Sequence, residues 1–311
     1  MINNNPYKKI IKSVCYGAIV ASLIFVACQK SANELEQYAT KTDQELLLAE
    51  TPASDSTVGL FDDSLNLAPG YDPAVAGDSI VRLVLVIDDF GHQWDTPAVQ
   101  GLLHLEIPVA IAIIPGTWAA KRTAKLASEL GKEIILHLPM EPDHPEPNTE
   151  QTMLRIGMSP EEVGAFIDKS SMNVPGILGL NNHMGSAATR GRKLMSFVAN
   201  ECKIRNWWIL DSITHPKSVL YDEAVRAGVP AITRDIFLDH ENNPESVRKE
   251  LYRAVGIARK WNRPVVLIGH PRKVTWEVLA SEIPLLKEKG IQWVPLSKVL
   301  KKSINLASRE E

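Results

Sequence analysis

The stretch "VRLVLVIDDFGH", residues 81–92, carries a run of leucine and β-branched residues onto two adjacent carboxylates, Asp88 and Asp89. So apolar a run reads as a strand buried on both faces, and an unpaired carboxylate at its end costs several kcal/mol. A cation, a metal or water at a strand mouth must compensate the pair. Other apolar runs end alike: His137 closes "EIILHL", Asn182 and His183 follow "ILGL", Asp211 follows "WWIL" and His270 follows "VVLIG". Turn chemistry supplies Gly, Ser and Asn to strand ends, not three histidines. These residues therefore point to one shared site suited to cation binding and proton transfer.

Such a site requires the strand ends to open on one face. From Arg82 onward, short apolar runs alternate with stretches of helical spacing. Strands are predicted over 83–87, 109–114, 133–138, 177–182, 207–210, 230–233, 265–269 and 292–296. Helices are predicted over 95–104, 118–130, 160–173, 190–204, 218–227, 244–261 and 275–289. Asn243 before Pro244, and Ser159 before Pro160, Glu161 and Glu162, are helix starts; Gly131, Gly228 and Gly290 are stops. Alternation of this kind implies an α/β protein with a parallel sheet covered by helices. The number of units suits a distorted (β/α) barrel, with an open doubly wound sheet as the alternative. In the barrel, all the polar strand ends share the C-terminal face.

The chain has 311 residues, 45% hydrophobic and 23% charged, which excludes a disordered protein and provides a sizeable core. Its net charge is -3, and residues 30–80 carry ten acids against Lys30 and Lys41; with the three lysines of residues 1–29 set aside, residues 81–311 are near neutral, at about +2. That balance excludes a nucleic-acid partner, which needs a basic face. No glycine-rich phosphate loop follows any strand, so nucleotide binding has no support.

Residues 1–28 read as a signal peptide: Lys8, Lys9 and Lys12 precede the apolar run "VCYGAIVASLIFVAC", too short for a membrane span. Its end, "FVAC", resembles the lipobox of bacterial lipoproteins, with Phe25 where leucine is usual. A lipid anchor on Cys28, holding an exported protein to a membrane of the bacterial cell envelope, is the expectation; an ordinary signal peptide or uncleaved anchor is the alternative. Residues 29–79 are acidic and lack apolar periodicity, as a flexible tether would. Cys202 then has no partner, and it reads as a small core residue.

The remaining candidates are weaker. Most of His92, His104, His144, His215 and His240 read as surface residues, with the lining of a substrate groove as the alternative for some. Trp94, Trp118 and Trp276 follow strand ends, where they would either pack or stack on a sugar.

"LVLVIDDFG", "VAIAIIPG", "EIILHLPMEP", "GLNNHMGSAATR", "LDSITHP" and "VVLIGHPR", in this order, resemble the divergent polysaccharide deacetylase family, a branch of the carbohydrate esterase deacetylases. The similarity makes residues 80–303 a deacetylase-like catalytic domain and 304–311 a tail. It implies the distorted (β/α) barrel of the polysaccharide deacetylase type and metal-assisted removal of N- or O-acetyl groups from a cell-envelope glycan. Carried over, Asp88 is the base, Asp89 and His137 are metal ligands, and His270 is the general acid.

Two departures accompany the resemblance. The usual His-x-x-x-His of the second motif is here His137-Leu138-Pro139-Met140-Glu141, so the third ligand is either His183, preferred here, or Glu141. The arginine-proline motif that braces the base is absent, with Asn181 and Asn182 near its place. Two imidazoles and one carboxylate leave an open position on a divalent ion, Zn²⁺ first among the candidates. Asp211 would orient a histidine, while Asn182, Trp94 and Trp118 would contact substrate. A metallophosphoesterase is disfavoured because Asp89 and His92 are one residue too far apart for Asp-x-His. The rival of a different class is a non-catalytic envelope protein that binds a glycan or partner in the same pocket.

Overall fold

A computed structural model describes residues 80–145 and 152–300. Among these, nine strands run in order: β1 (Arg82–Phe90), β2 (Val109–Ile113), β3 (Glu133–Met140), β4 (Ile177–Met184), β5 (Trp208–Asp211), β6 (Ala231–Thr233), β7 (Ile236–Phe237), β8 (Val265–Gly269) and β9 (Gln292–Trp293). The described helices are α1 (Pro97–Leu103), α2 (Ala120–Glu129), α3 (Pro160–Ser171), α4 (Arg192–Ile204), α5 (Leu220–Ala227), α6 (Pro244–Trp261) and α7 (Lys273–Glu288). The signal segment with Cys28, the tether and residues 301–311 lie outside the described residues. Among those described, no helix is long and apolar enough to cross a membrane.

The sheet order is β6-β5-β4-β3-β2-β1-β8-β7, and every pairing in it is parallel. β9 pairs with the start of β1. The two edges, β6 and β7, are separated in sequence by Arg234 and Asp235 alone. The sheet must therefore curl until its edges nearly meet. Arg234 N donates to the Asp211 carbonyl on one side at 3.1 Å, and Asp235 N donates to the Val266 carbonyl on the other at 3.0 Å. A distorted (β/α) barrel results, closed by two residues instead of a β-ladder; the doubly wound sheet is not formed.

Strand alternation separates two apolar layers. Leu83, Leu85, Ile87, Ile111, Leu136, Leu180, Ile209 and Leu267 pack outward in the cluster that includes the helices. Val84, Val86, Ala110, Ala112, Ile135, Trp208, Leu210, Val266 and Ile268 fill the barrel interior. Each fully buried Val, Leu or Ile contributes ~1.5–3 kcal/mol, so burial on both faces dictates these continuous apolar runs. Trp208 occupies the interior beside Gly179, where a Cβ would stand 2.2 Å from the indole Cε3. That space requires glycine.

The helix signals act as their chemistry demands. Ser159 and Glu162 form a reciprocal capping box on α3, and Asn243 accepts from Ser246 N with Pro244 opening α6. Gly228, with φ of 76°, ends α5 in the left-handed region. The strand predicted over 292–296 is cut to two residues, and Pro295 leads into a 3-10 turn at Leu296–Lys298. β7 was not predicted, because two residues carry no periodicity. Cys202 is buried, and burial pushes its thiol up to about 12, which makes it an inert core residue.

Candidate metal centre

The inward positions of the strands continue past the apolar interior to the barrel mouth. After Val84 and Val86 comes Asp88; after Ile135 comes His137; after Gly179 come Asn181 and His183; after Val266 and Ile268 comes His270. Asp89 would face outward in a regular strand. The register shifts between Ile87 and Phe90, and Asp89 adopts a φ of 59°. This bulge turns the second carboxylate to the same mouth as the first.

Asp89, His137 and His183 converge there. His137 Nε2 lies 3.2 Å from Asp89 Oδ1, His183 Nδ1 lies 3.0 Å from the same oxygen, and the two nitrogens are 3.1 Å apart. Asn181 decides which of these atoms are acceptors. Its Nδ2 donates to Asp88 Oδ1 at 2.8 Å, so its Oδ1 must be the atom that accepts from His137 Nδ1, also at 2.8 Å. With the proton on Nδ1, His137 Nε2 presents a lone pair. Were His183 Nδ1 to present a lone pair as well, these two nitrogens and the carboxylate oxygen at such spacings would fit one cation: ligand bonds of about 2.0–2.1 Å would subtend about 100°. Asp89 stays 36% exposed in its side chain, leaving the outer side of the group accessible.

Two titratable groups flank the triangle. Asp88 Oδ2 stands 3.8 Å from His137 Nε2, and His270 Nε2 stands 3.8 Å from Asp89 Oδ2. Burial raises Asp88 above the ordinary carboxylate value, outweighing the opposing effects of His137, His270 and the Asn181 amide. Burial acts on Asp89 in the same sense, but the hydrogen bonds and charges of His137 and His183 hold it far below the usual range. His270 is raised: burial alone would lower it, but its hydrogen bond and charge pairing with Asp239, then the charges of Asp89 and Asp88, prevail. Asp239 Oδ1 is 2.8 Å from His270 Nδ1, and its Oδ2 accepts from His270 N at 2.8 Å and from Thr275 Oγ1 at 2.5 Å.

Several expected residues lie elsewhere. Asp211 does not orient a histidine: its Oδ1 accepts from Ile213 N, and its Oδ2 from Ser218 Oγ and Tyr221 N, at 2.9, 2.7 and 3.2 Å. The reason is alternation, since Asp211 shares the outward face of Ile209. Asn182, one residue out of phase with Asn181, is likewise a loop brace: it accepts from Ser212 N and donates to the Met184 carbonyl and Thr214 Oγ1. Glu141, the alternative ligand, is outside the three-residue group, and its Oε2 accepts from Ile156 N at 2.8 Å. Trp94 is half-buried and packs on the core under the Arg122 guanidinium, 4.5 Å above its ring. Trp276 packs too, its Nε1 lying 1.9 Å from where a Cβ on Gly101 would stand. Trp118 alone of the three is open, 67% exposed, with its indole N–H donated to the His92 carbonyl at 2.7 Å.

The sequence reading missed Asp239, Asn181 as a bridge, and Arg234. Asp239 lies two residues beyond the short β7, and the inward phase of Phe237 leads directly to it. Arg234 Nε donates to the Ser212 carbonyl at 2.9 Å, within the electrostatic influence of Asp88 and Asp211. It brings a guanidinium within electrostatic reach of Asp88.

Fold and site together define a parallel α/β barrel with a candidate His–His–Asp metal centre at its C-terminal mouth. The chain belongs to the divergent polysaccharide deacetylase family, whose model matches residues 85–300. It is 34% identical over 211 residues to the uncharacterized protein YibQ of Escherichia coli K12, covering 68% of this chain and 64% of YibQ. It thus spans less than two thirds of the length of that relative. An uncharacterized protein of Haemophilus influenzae is 34% identical over 207 residues, covering 67% of this chain and 72% of its own. The crystal structure of the uncharacterized protein ATU2773 from Agrobacterium tumefaciens shares the fold, with a TM-score of 0.65 at 20% identity over 71% of this chain and 90% of that one.

Proposed function

We propose that the protein is a metal-dependent hydrolase that removes acetyl groups from a cell-envelope glycan. The observation that carries this reading is the triangle of Asp89 Oδ1, His137 Nε2 and His183 Nδ1, flanked by Asp88 and His270. Asp89, His137 and His183 would hold a divalent transition metal, with Zn²⁺ the first choice for two imidazoles and a carboxylate. When bound, such an ion lowers the pKa of water and polarises a carbonyl oxygen.

The chain's own groups supply the proton traffic. Asp88, held by the Asn181 amide and raised by burial, takes a proton from the water that attacks the acetyl carbonyl. His270, whose hold on a proton Asp239 strengthens, gives one to the departing amine or alcohol. Trp118, exposed and fixed through its indole N–H, offers a flat apolar face to a sugar ring at the rim. Export, acylation of Cys28 and anchoring to an envelope membrane complete the proposal, and would place the domain beside such glycans.

Metal analysis with acetate release from acetylated oligosaccharides tests the reading. Asp89→Asn, His137→Ala and His183→Ala should each weaken metal binding by orders of magnitude and abolish release. Saccharide binding without release, unchanged in His270→Ala, would instead establish a non-catalytic envelope protein. Incorporation of labelled fatty acid, lost in Cys28→Ser, tests the anchor.

A further inference from the structure

A cleft of about 230 Å³ opens beside the centre, from Asp89 and His270 toward His92, Gln93 and Arg272. Its permanent positive charge is the Arg272 guanidinium. Most described arginines find a carboxylate: Arg190 pairs with Asp143, Arg205 with Asp168 and Glu201, and Arg263 with Asp235. Among the described residues, no carboxylate pairs with Arg272; its Nη1 donates to the Asp239 main-chain carbonyl. Arg272 is also tied to His270 through the backbone, its N–H donating to the His270 carbonyl at 2.7 Å. Asp239 thereby anchors two side chains, His270 with its carboxylate and Arg272 with its carbonyl.

A half-buried guanidinium fixed at one nitrogen keeps its other N–H groups for a ligand, in a planar fork that matches a carboxylate. The one carboxylate among the described residues lining the cleft is Asp89, already shared between two imidazoles. A neutral sugar would leave this charge uncompensated.

We propose that Arg272 binds a carboxylate carried by the substrate's sugar, so that the protein selects acidic acetylated glycans over neutral ones. This rests on the deacetylase reading above and names the substrate class of that site. The carboxylate belongs to an ether-linked acid substituent or to a uronic acid, and it sits on the reacting sugar or its neighbour.

The test uses Zn²⁺-loaded protein and three kinds of probe: an N-acetylhexosamine with a 3-O-lactyl group, an N-acetylated hexosaminuronic acid, and the carboxyl-reduced alcohol of each. Affinity is measured by calorimetry, with acetate release in parallel. At least one acidic probe should bind about 10- to 100-fold more tightly than its reduced form, and Arg272→Gln should erase that preference while leaving the reduced forms unchanged. Arg272→Lys should restore part of it, as a point charge without the fork. Which acidic probe is preferred identifies the source of the carboxylate. Equal affinity for acidic and reduced probes in the wild type, or equal loss for all probes in Arg272→Gln, would overturn the proposal. Acidic selectivity in binding without acetate release would sink the hydrolase reading and leave this inference standing.

Discussion

Asn181 and His137 share a 2.8 Å hydrogen bond in which the amide oxygen accepts from the imidazole Nδ1, and the same amide donates to Asp88. One buried side chain therefore fixes the tautomer of His137 and the position of Asp88. Asn181→Ala should weaken Zn²⁺ affinity about 10- to 100-fold, the usual effect of removing an outer partner of a metal-binding histidine. Isothermal titration of the purified domain would measure it, and unchanged affinity would remove Asn181 from the centre.

Asp239 should govern the pH response. Its contact is the largest influence raising His270 above the ordinary value of 6.5, so Asp239→Asn should lower the His270 pKa and move the alkaline limb of acetate release to lower pH. Stability follows the same linkage. The raised histidine contributes stability that is fully present below 6.5 and lost as pH rises through its folded value. The lowered Asp239 contributes stability that is present above 3.8 and lost as pH falls through its folded value. In metal-free protein the cost of Asp239→Asn should therefore peak between those limits, which NMR titration and denaturation at several pH values would check.

Asp211→Ala should be a stability defect without a metal defect. It strands Ile213 N, Ser218 Oγ and Tyr221 N, at a cost of about 1–3 kcal/mol per buried group left unsatisfied. Denaturant unfolding should reveal the loss while zinc affinity stays within about threefold, a margin set by RT at 25 °C. A large change in affinity would restore Asp211 to the centre.

Glu141→Gln discriminates the two ligand sets. It should retain metal, because the carboxylate is spent on Ile156 N, and a neutral amide oxygen can still accept there. Loss of metal in Glu141→Gln with retention in His183→Ala would show that the third ligand is wrongly assigned.

Trp118 and Trp276 should separate recognition from packing. Trp118→Ala should weaken saccharide binding, with little effect on unfolding. Trp276→Ala should destabilise by about 3–5 kcal/mol or somewhat less, given its partial burial, through the void left beside Gly101.

The strands, most helix boundaries and the convergence of Asp88, Asp89, His137, His183 and His270 were legible because burial on both sheet faces imposes long apolar runs with polar ends. Alternation was the signal left unused. Counting by twos from the interior residues Trp208 and Leu210 leads to Ser212 and passes over Asp211. The same count from Gly179 selects Asn181 and passes over Asn182. Asp89 breaks this rule because of its bulge, which no periodicity announces. Asp239 was hidden because β7 is too short to register as a strand, and Arg234 because it falls just past the end of the strand predicted over 230–233.

The two residues between β6 and β7 give the molecule the character of a cuff fastened by a single stud. Neither edge has rungs to forfeit across that gap, so its girth can be let out without unzipping any parallel pair. Asp235 is riveted to Arg263, while Arg234, held on the Ser212 and Ile213 carbonyls, stays within the electrostatic reach of Asp88. Lengthening that fastening by one residue would widen the opening and carry the arginine away from the carboxylate in the same movement, tying aperture to reactivity.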